Sequence, residues 1–550
     1  MIGILSQKHG FGKKKSLVVW LALGLLCLNM AGLTFYIFES YKLFFNSDAA
    51  VANILAKEIV LSKNLFPPQW WYANDDLWVF YKHLLLIPWD LAGKNSFFAH
   101  SVSVSIIILV MLALVWAFLQ KLGLSLANTI MGCVAITTAY SQMFLQEVYG
   151  EVAYTWYFIL MLAFLLLIHK IFFEKNSFKA LWIVLFFVLI YLFVIANPLR
   201  LLVYYVAPFA CALFFVIYIP WSEKKSLDVS HYGAYIPATL VYGALFLIAF
   251  FGGIIHRNEI FDMVHHVSGA NEIHLITLQD LPFHIAYSIL GFFYFIGVEW
   301  GDNVKLKSFI GIASILKLFL YPFVFFAPLL VAKERFYSLT KAQQFVIILS
   351  YAGFGIIFFL YAFSSLQDGA YAAKRNIRYI LPFVMMILLS MAIMWSLFSR
   401  KLRAIFTFTF LLALSTSYSN IVPENMQKEL KEDKTLFEAI KSTGLKIGYA
   451  PYWDSHIYTV LSDGAFEIRP IDIFIKGGVS PTLWLSSDAW YKNDYASKGV
   501  FLLVPSHAYS EFNTTLERKL LPEASNKIVL EKYTLYIYKD NPLFKEEKSK

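Results

Sequence analysis

The chain has 550 residues, of which 59% are hydrophobic, 18% aromatic and only 15% charged, with a mean hydropathy of +0.61. This composition lies outside the range of water-soluble domains and predicts a protein of the lipid bilayer. The formal net charge of +9 does not indicate nucleic-acid binding, because Lys and Arg stand in short clusters between apolar runs, as cytoplasmic anchors do.

Apolar runs long enough to cross about 30 Å of hydrocarbon recur along the first 420 residues. They predict eleven membrane helices, near 17–38, 101–119, 125–141, 154–172, 180–196, 201–219, 234–255, 309–332, 344–363, 379–397 and 404–419. A twelfth run, 284–300, is shorter and carries a His and a Gly, so re-entrant, interfacial and spanning states all stay open. Eleven spans keep the basic turns at 333–341 and 400–403 on the cytoplasmic side, which the positive-inside rule favours. The N-terminus is then cytoplasmic and the tail extracytoplasmic.

The first external loop, 39–100, is long for a polytopic protein and opens with an acidic residue. After Asn46, Ser47 and Asp48, apolar residues recur at helical spacing over 49–66 and predict a helix lying flat on the membrane surface. Asp48, in its first turn, is a candidate catalytic residue. The alternative is that Ser47 caps this helix and Asp48 only complements its dipole.

Further along this loop, aromatic side chains stand beside two carboxylates. Trp70, Trp71 and Tyr72 suit stacking on sugar rings, while Asp75 and Asp76 suit binding to sugar hydroxyls. An interfacial aromatic belt has the same composition. Adjacent residues point in different directions in a helix or strand, so Asp75 and Asp76 are not assumed to form a catalytic pair.

The second external loop carries Glu147 and Glu151 just before a span. If this stretch is helical, residues four apart share a face. Such an acidic pair suits an acceptor or a divalent cation, which is the one cofactor that the sequence suggests. The alternative is a solvated helix N-terminus.

Lys374, Arg375 and Arg378 precede a late span at its external end and oppose the positive-inside trend. A lipid phosphate is the simplest compensating partner, because Arg binds phosphate through a forked pair of charge-assisted hydrogen bonds. Snorkelling at the interface is the alternative. Weaker candidates of the same kind are Arg200, Arg257 and Lys317.

From about residue 421 the apolar runs shorten and charges rise. The pattern predicts a helix over 429–442, strands over 446–450 and 501–505, and a strand or hairpin over 527–539. Residues 421–550 are thus expected to form a soluble α/β domain of about 130 residues, after a membrane module at 1–420. Its segment 448–454 is rich in side chains that stack on sugars, although a folded core explains them as well.

The order of these features resembles the GT-C glycosyltransferases. The likeness consists of an acidic residue after the first helix, a long first loop, a second acidic loop, the Arg378-Tyr379-Ile380-Leu381-Pro382 motif and a C-terminal external domain. It is strongest to the bacterial branch similar to protein O-mannosyltransferases and lipid A aminoarabinose transferases. Protein O-mannosyltransferases carry an Asp-Glu pair in the first loop, whereas this chain has Asp48-Ala49, which argues against a protein acceptor.

This resemblance implies inverting transfer of a sugar from a polyprenyl-phosphate donor to a glycan, lipid or protein acceptor at the outer face of the bacterial cytoplasmic membrane. Asp48 would be the base, Arg378 and Lys374 would neutralise the donor phosphate, and Tyr379 would belong to the sugar-stacking set. The expected partners are the lipid-linked donor, the acceptor and membrane lipids, with no nucleic acid. A polysaccharide polymerase or ligase, and a transporter or flippase of lipid-linked sugars, are the alternatives.

Overall fold

The computed structural model describes residues 13–174, 179–224, 236–267, 273–299, 305–366, 376–474, 478–492, 499–506, 512 and 521–542. Helices dominate these ranges. In chain order they are α1 Lys13–Phe38, α2 Ser47–Ser62, α3 His83–Leu91, α4 Phe97–Lys121, α5 Leu126–Thr137, α6 Ala153–Phe172, α7 Ala180–Ala196, α8 Ala207–Lys224, α9 Ile236–Met263, α10 Leu281–Phe295, α11 Phe309–Arg335, α12 Lys341–Phe363, α13 Leu381–Met394, α14 Arg400–Ile421, α15 Met426–Ser442 and α16 Tyr452–Leu461.

Eight strands lie among them, in two sheets. They are β1 Trp71–Ala73, β2 His265–Val267, β3 Ile447–Pro451, β4 Glu467–Phe474, β5 Gly478–Pro481, β6 Val500–Pro505, β7 Asn526–Val529 and β8 Tyr533–Tyr538. The first two pair in parallel, and the other six form one mixed sheet of order β5-β4-β3-β6-β8-β7.

The chain divides into two compact units. The helical unit consists of Met1–Tyr36, Ile107–Ile254 and Glu272–Val422. The mixed unit consists of Ile37–Ile106, Ile255–Asn271 and Pro423–Lys550. The C-terminal part therefore begins two residues from the boundary that the sequence predicts, but it forms one unit with the first loop instead of a separate domain.

Nine helical stretches in the described ranges are long and apolar enough to cross a membrane. They are Leu17–Phe38, Phe97–Lys121, Ala153–Phe172, Pro198–Val216, Thr239–Met263, Phe309–Val331, Lys341–Phe363, Ile377–Leu397 and Arg400–Ser442. Large apolar side chains are exposed along them, among them Leu28, Phe251 and Phe319. Exposed apolar surface on this scale is typical of contact with lipid, so the chain has the character of a multi-pass membrane protein.

Three further apolar helices, α5, α7 and α10, are only 12, 17 and 15 residues long. A perpendicular crossing needs about 20 residues, so length alone does not make these helices spans. Two of them occupy the predicted spans 125–141 and 180–196, and the third occupies the open twelfth run.

Buried polar side chains hold the ends of two short helices in the helical unit. Lys317 donates to the carbonyl of Gly297, just after α10, at 2.9 Å and to Thr416 Oγ1 at 2.7 Å. Asn29 donates to the carbonyl of Val134 in the last turn of α5 at 3.2 Å. Carbonyls at helix ends lack backbone partners, and these buried side chains supply hydrogen-bond donors to them. Lys317 is 2% exposed and does not snorkel.

The six-stranded sheet of the mixed unit carries apolar residues on both faces. Along β6, Phe501 and Leu503 belong to one core cluster, whereas Leu502 and Val504 belong to the other. This alternation follows from the period of two in a strand. The first cluster also contains Leu436 of α15, so the predicted helix and strands of the tail are confirmed. The helix α16, which connects the parallel strands β3 and β4, is not predicted.

The helix α2 differs from the predicted surface-lying amphipathic helix. Its residues 49–56 are all buried, including Ala49, Ala50, Ala52 and Ala56. These small side chains let α3 and α16 pack closely against it within the mixed unit. Only its end leaves large apolar side chains exposed, such as Leu61. The apolar spacing therefore reflects protein packing over this part of the helix, and the one-sided apolar stripe that the sequence predicts is not found there.

Candidate functional site

Two groups of predicted residues stand out, one in each unit. In the helical unit, Glu147 and Glu151 lie in a π-helix, Gln146–Glu151, that ends at Val152 with a positive φ of 54°. Such short π segments are often found at functional sites. Because their hydrogen bonds run from residue i to i+5, residues four apart stay close to one face. The expectation that the two carboxylates face the same way is confirmed, since both reach one cation.

That cation is Arg378. Its Nη1 lies 3.4 Å from Glu151 Oε1 and 3.6 Å from Glu147 Oε1. The side chains of Arg378, Glu147 and Glu151 are 14%, 5% and 4% exposed, so this ion cluster is almost closed to solvent. Charges removed from water require such mutual compensation.

A wall of four tyrosines joins this ion cluster to a second cation. The Arg378 guanidinium lies 5.7 Å from the ring of Tyr154, which meets Tyr379 edge-on at 5.5 Å. Tyr204 donates to the carbonyl of Tyr379 at 2.9 Å and stacks on Tyr157 at 5.4 Å.

Arg200 lies beyond that wall, with its guanidinium 5.2 Å from the ring of Tyr157. It also donates a hydrogen bond to the Tyr157 hydroxyl. The Asn197 side chain accepts from the Arg200 backbone N–H and so begins the one-turn helix that carries Arg200. The sequence analysis missed Tyr154, Tyr157 and Tyr204. The i, i+3 spacing of the first two at the start of α6 is the one signal that pointed to a shared face.

In the mixed unit, Asp48 lies at the start of α2. Asn46, and not Ser47, caps this helix, since its side chain accepts from the backbone N–H of Ala49 at 2.8 Å. Asp48 Oδ1 accepts a hydrogen bond from the Tyr452 hydroxyl at 2.8 Å. Ser47 instead donates to the main-chain carbonyl of Tyr452. The prediction that Ser47 caps this helix is therefore wrong, because Asn46 does so. Asp48 has a specific side-chain partner in Tyr452.

An ion pair and a tryptophan hydrogen bond tie α2 to the C-terminal part of the same unit. Lys57 pairs with Glu467, and Trp490 Nε1 donates to Glu58 Oε1 at 3.0 Å. Burial raises the pKa of Glu58, although the Trp490 hydrogen bond opposes the rise. Burial also pushes the pKa of Glu467 up, but Lys57 and Arg469 outweigh it and leave that pKa lowered.

Two of the predicted sugar-stacking rings are buried. Trp70 and Tyr72 are 0% and 1% exposed, so neither offers a face to a sugar in this arrangement. Trp71 stacks on His265 at 4.6 Å, next to it across the β1–β2 pairing. The aromatic residues of this stretch therefore build the mixed unit.

Asp75 and Arg257 meet in the mixed unit. Arg257 donates to the main-chain carbonyl of Asp75 at 2.6 Å, and the Asp75 carboxylate lies 3.3 Å from His266. Asp75 has a positive φ of 52°, which makes it part of a turn, and the next backbone N–H, that of Asp76, donates to the carbonyl of Ala73. These contacts tie loop segments together.

Two predicted cations, Lys374 and Arg375, lie outside the described residues. Among the residues that the structure does describe, no group of three or more His, Cys, Asp or Glu side chains is arranged to hold a metal ion. The pair Glu147 and Glu151, suggested as a cation site, is engaged with Arg378 instead.

An apolar cavity of about 300 Å³ lies within the helical unit. Helices α1, α5, α11, α13 and α14 line it, and their contributions include Val18, Met131, Phe325, Leu388 and Phe410. The cavity has almost no polar lining, so it suits a hydrocarbon ligand.

Comparison of the chain with family models, with curated proteins and with solved structures finds no match. The geometry of these sites and the chemistry of their side chains therefore carry the functional argument.

Proposed function

We propose that the protein is an inverting glycosyltransferase of the GT-C type. In this proposal it moves a sugar from a polyprenyl-phosphate donor to a glycan, lipid or protein acceptor at the outer face of the bacterial cytoplasmic membrane. The observation that carries the proposal is the buried ion cluster of Glu147, Glu151 and Arg378 in a unit made of apolar helices. Charged groups are expensive in such surroundings and are usually kept for function.

The chemistry of the ion cluster fits a phosphate-linked sugar. Arg378 presents a planar fork of N–H donors that matches phosphate oxygens, while carboxylates accept hydrogen bonds from sugar hydroxyls. Arg200, on the tyrosine wall, brings the formal charge of the four groups to zero, so the site is neither a plain anion hole nor a plain cation site. A ligand that carries both an anion and hydroxyl groups suits such a balance.

The apolar cavity of the helical unit supports a lipid-linked donor. A polyprenyl chain needs an apolar path between helices, and a cavity of about 300 Å³ with aliphatic and aromatic walls offers room for part of one. The proposal retains eleven spans and the external C-terminal part as its topology.

Asp48 is the proposed base. The acceptor oxygen attacks the anomeric carbon and forms the new C–O bond with inversion, while the bond from that carbon to the phosphate oxygen breaks. The bonding pair leaves with polyprenyl phosphate, and the acceptor proton passes to the Asp48 carboxylate and then to water. Cationic groups that stabilise the departing phosphate make a general acid unnecessary.

The first experiment measures donor turnover in native membranes. Release of polyprenyl phosphate is followed from a panel of polyprenyl-phosphate-linked mannose, glucose and aminoarabinose. We expect Asp48→Asn to lower the rate by about 10²- to 10⁴-fold, because the base is lost. Asp463→Asn, at an exposed turn of the mixed unit, is the matched control and keeps the rate. Full turnover by Asp48→Asn removes the proposed base.

A second variant tests the phosphate contact. Arg378→Lys keeps the charge that balances Glu147 and Glu151 but loses the planar fork, so we expect about 10- to 100-fold lower turnover. Unchanged turnover would contradict the phosphate role.

Two further measurements concern the donor and the topology. Mass spectrometry of lipids that copurify with the wild-type protein identifies the donor. A reporter fused after residue 425 tests the topology, and a cytoplasmic location of that reporter would overturn the proposal.

A further inference from the structure

Tyr452 is attached to the start of α2 at both its ends. Its hydroxyl donates to Asp48 Oδ1 at 2.8 Å, while its main-chain carbonyl accepts a hydrogen bond from Ser47. The same carbonyl also accepts from Ser455 Oγ at 2.9 Å, within the first turn of α16. The residue is 9% exposed, and Trp453 packs edge-on against its ring at 5.0 Å. Side chain and main chain are thus both fixed.

A phenol is an unusual partner for a carboxylate that has to accept a proton. It donates a hydrogen bond without bringing a positive charge, so it orients the carboxylate and favours its ionised form without forming an ion pair. An Arg or Lys in the same place would hold the carboxylate more strongly and make it a weaker base. The Tyr452 contact therefore suits a group that must stay charged at neutral pH and still take up a proton.

We infer that Tyr452 is a positioning residue for Asp48, so that the C-terminal part of the chain tunes the proposed base. The catalytic consequence rests on the proposed function, whereas the effect on Asp48 protonation does not. Nothing in the local pattern of either segment links them, because 404 residues separate the two.

The test reads Asp48 protonation directly in the full-length protein in detergent. A water-soluble carbodiimide with glycine methyl ester modifies protonated carboxyl groups, and mass spectrometry of the Asp48 peptide gives the midpoint pH of modification. We expect Tyr452→Phe to raise that midpoint by about one pH unit, because the ionised carboxylate loses its donor. The exposed Asp463 serves as the reference in the same sample, with an unchanged midpoint.

The matched control is Tyr458→Phe. Tyr458 lies in the same helix, and its hydroxyl contacts that of Tyr533 at 3.0 Å instead of Asp48. We expect the Asp48 midpoint to stay unchanged in this variant. An equal rise in both variants, or no rise in Tyr452→Phe, overturns the inference. If Tyr452→Phe does not accumulate, Ser47→Ala loosens the same tyrosine from its carbonyl end, and an unchanged Asp48 midpoint there also overturns it.

The donor-turnover assay separates this inference from the proposed function. In Tyr452→Phe the acidic limb of the pH–rate profile should move up by about the same pH unit. If Asp48→Asn has normal turnover and Tyr452→Phe has a raised Asp48 midpoint, Asp48 is not the base, but Tyr452 still positions its carboxylate. If Asp48→Asn loses turnover but Tyr452→Phe changes neither the Asp48 midpoint nor the acidic limb of the pH–rate profile, only the positioning role of Tyr452 is contradicted.

Discussion

The two carboxylate sites of this chain make different interactions, namely ion pairs in one and a hydrogen bond from a neutral hydroxyl in the other. In the helical unit, Glu147 and Glu151 both pair with the one cation Arg378, and all three side chains are nearly closed to solvent. In the mixed unit, Asp48 is only half-buried and accepts from the neutral hydroxyl of Tyr452. A buried cluster of ion pairs suits binding, because protonation of either carboxylate would remove an ion pair in a site closed to solvent. The Tyr452 hydroxyl orients the Asp48 carboxylate without adding a positive charge of its own.

The largest effect is expected from unbalancing the ion cluster. Arg378→Met leaves two buried carboxylates without their cation and should lower the free energy of unfolding by about 3–5 kcal/mol. Thermal unfolding in detergent, followed by tryptophan fluorescence, measures the change.

The matched control removes all three charges together. The triple variant Glu147→Gln, Glu151→Gln, Arg378→Met should recover most of the lost stability, because no buried carboxylate is left without its cation. If the triple variant melts as early as Arg378→Met, the ion pairs are not what the cluster depends on.

The next effect concerns a histidine of the helix that carries Tyr452. Burial lowers the pKa of His456 to about 3, although a hydrogen bond with the Leu485 backbone opposes the shift. Its stabilising contribution is complete above the unfolded pKa near 6.5 and is lost as the pH falls towards 3. As the pH falls below 6.5, the free energy of unfolding should therefore decrease by about 1.4 kcal/mol per pH unit.

Melting curves between pH 7 and pH 4.5 check this slope. His456→Phe keeps a buried ring and should flatten it, whereas His274→Phe, at an exposed position of the helical unit, should leave it intact. A wild-type slope that survives in His456→Phe would contradict the assignment.

A smaller effect follows from the raised pKa of Glu58, which burial causes. A carboxyl whose pKa is raised in the folded state contributes stability below its unfolded pKa near 4.3, and that contribution is lost as the pH rises through the folded pKa. Glu58→Gln should therefore be more stable than the wild type at pH 7 and equal to it near pH 4. A variant less stable at pH 7 would show that the Trp490 hydrogen bond outweighs burial.

The smallest effect is expected at a solvent-facing ion pair. Lys57 and Glu467 are 39% and 37% exposed, so Lys57→Met should cost below about 1 kcal/mol, and less still at high salt. Chemical denaturation at two salt concentrations measures it. A loss as large as that of Arg378→Met would show that the exposed ion pair contributes as much to stability as the buried one.

The sequence predicted the local elements well and their environment less well. The strand predicted over 501–505 and the charged helix predicted over 429–442 are found as β6 and α15, because apolar runs, helical spacing and end signals are local properties. The apolar spacing of α2 was also real, but it was assigned to lipid contact. Periodicity shows which side chains are buried, not what buries them, and here close packing of alanines decides.

The candidate site shows the same limit. Glu147 and Glu151 could be placed on one face from their spacing, and Arg378 could be singled out because it opposes the positive-inside trend. Their contact joins positions 227 residues apart, and no local pattern foretells it. The aromatic run at 70–72 was overinterpreted, since composition does not distinguish a ring that builds a core from one that faces a ligand.

Composition and hydropathy by themselves predicted a mostly helical chain with several helices apolar and long enough to cross a membrane, because both depend on sums over many neighbouring residues. Local sequence pattern predicted the strands of the C-terminal part. Tertiary structure alone decided which polar side chains contact each other. Arg378 pairs with two glutamates, and Asp48 accepts a hydrogen bond from Tyr452. The physical reason is that ion pairs and hydrogen bonds act over a few ångströms in space, whereas sequence patterns report only on neighbours along the chain.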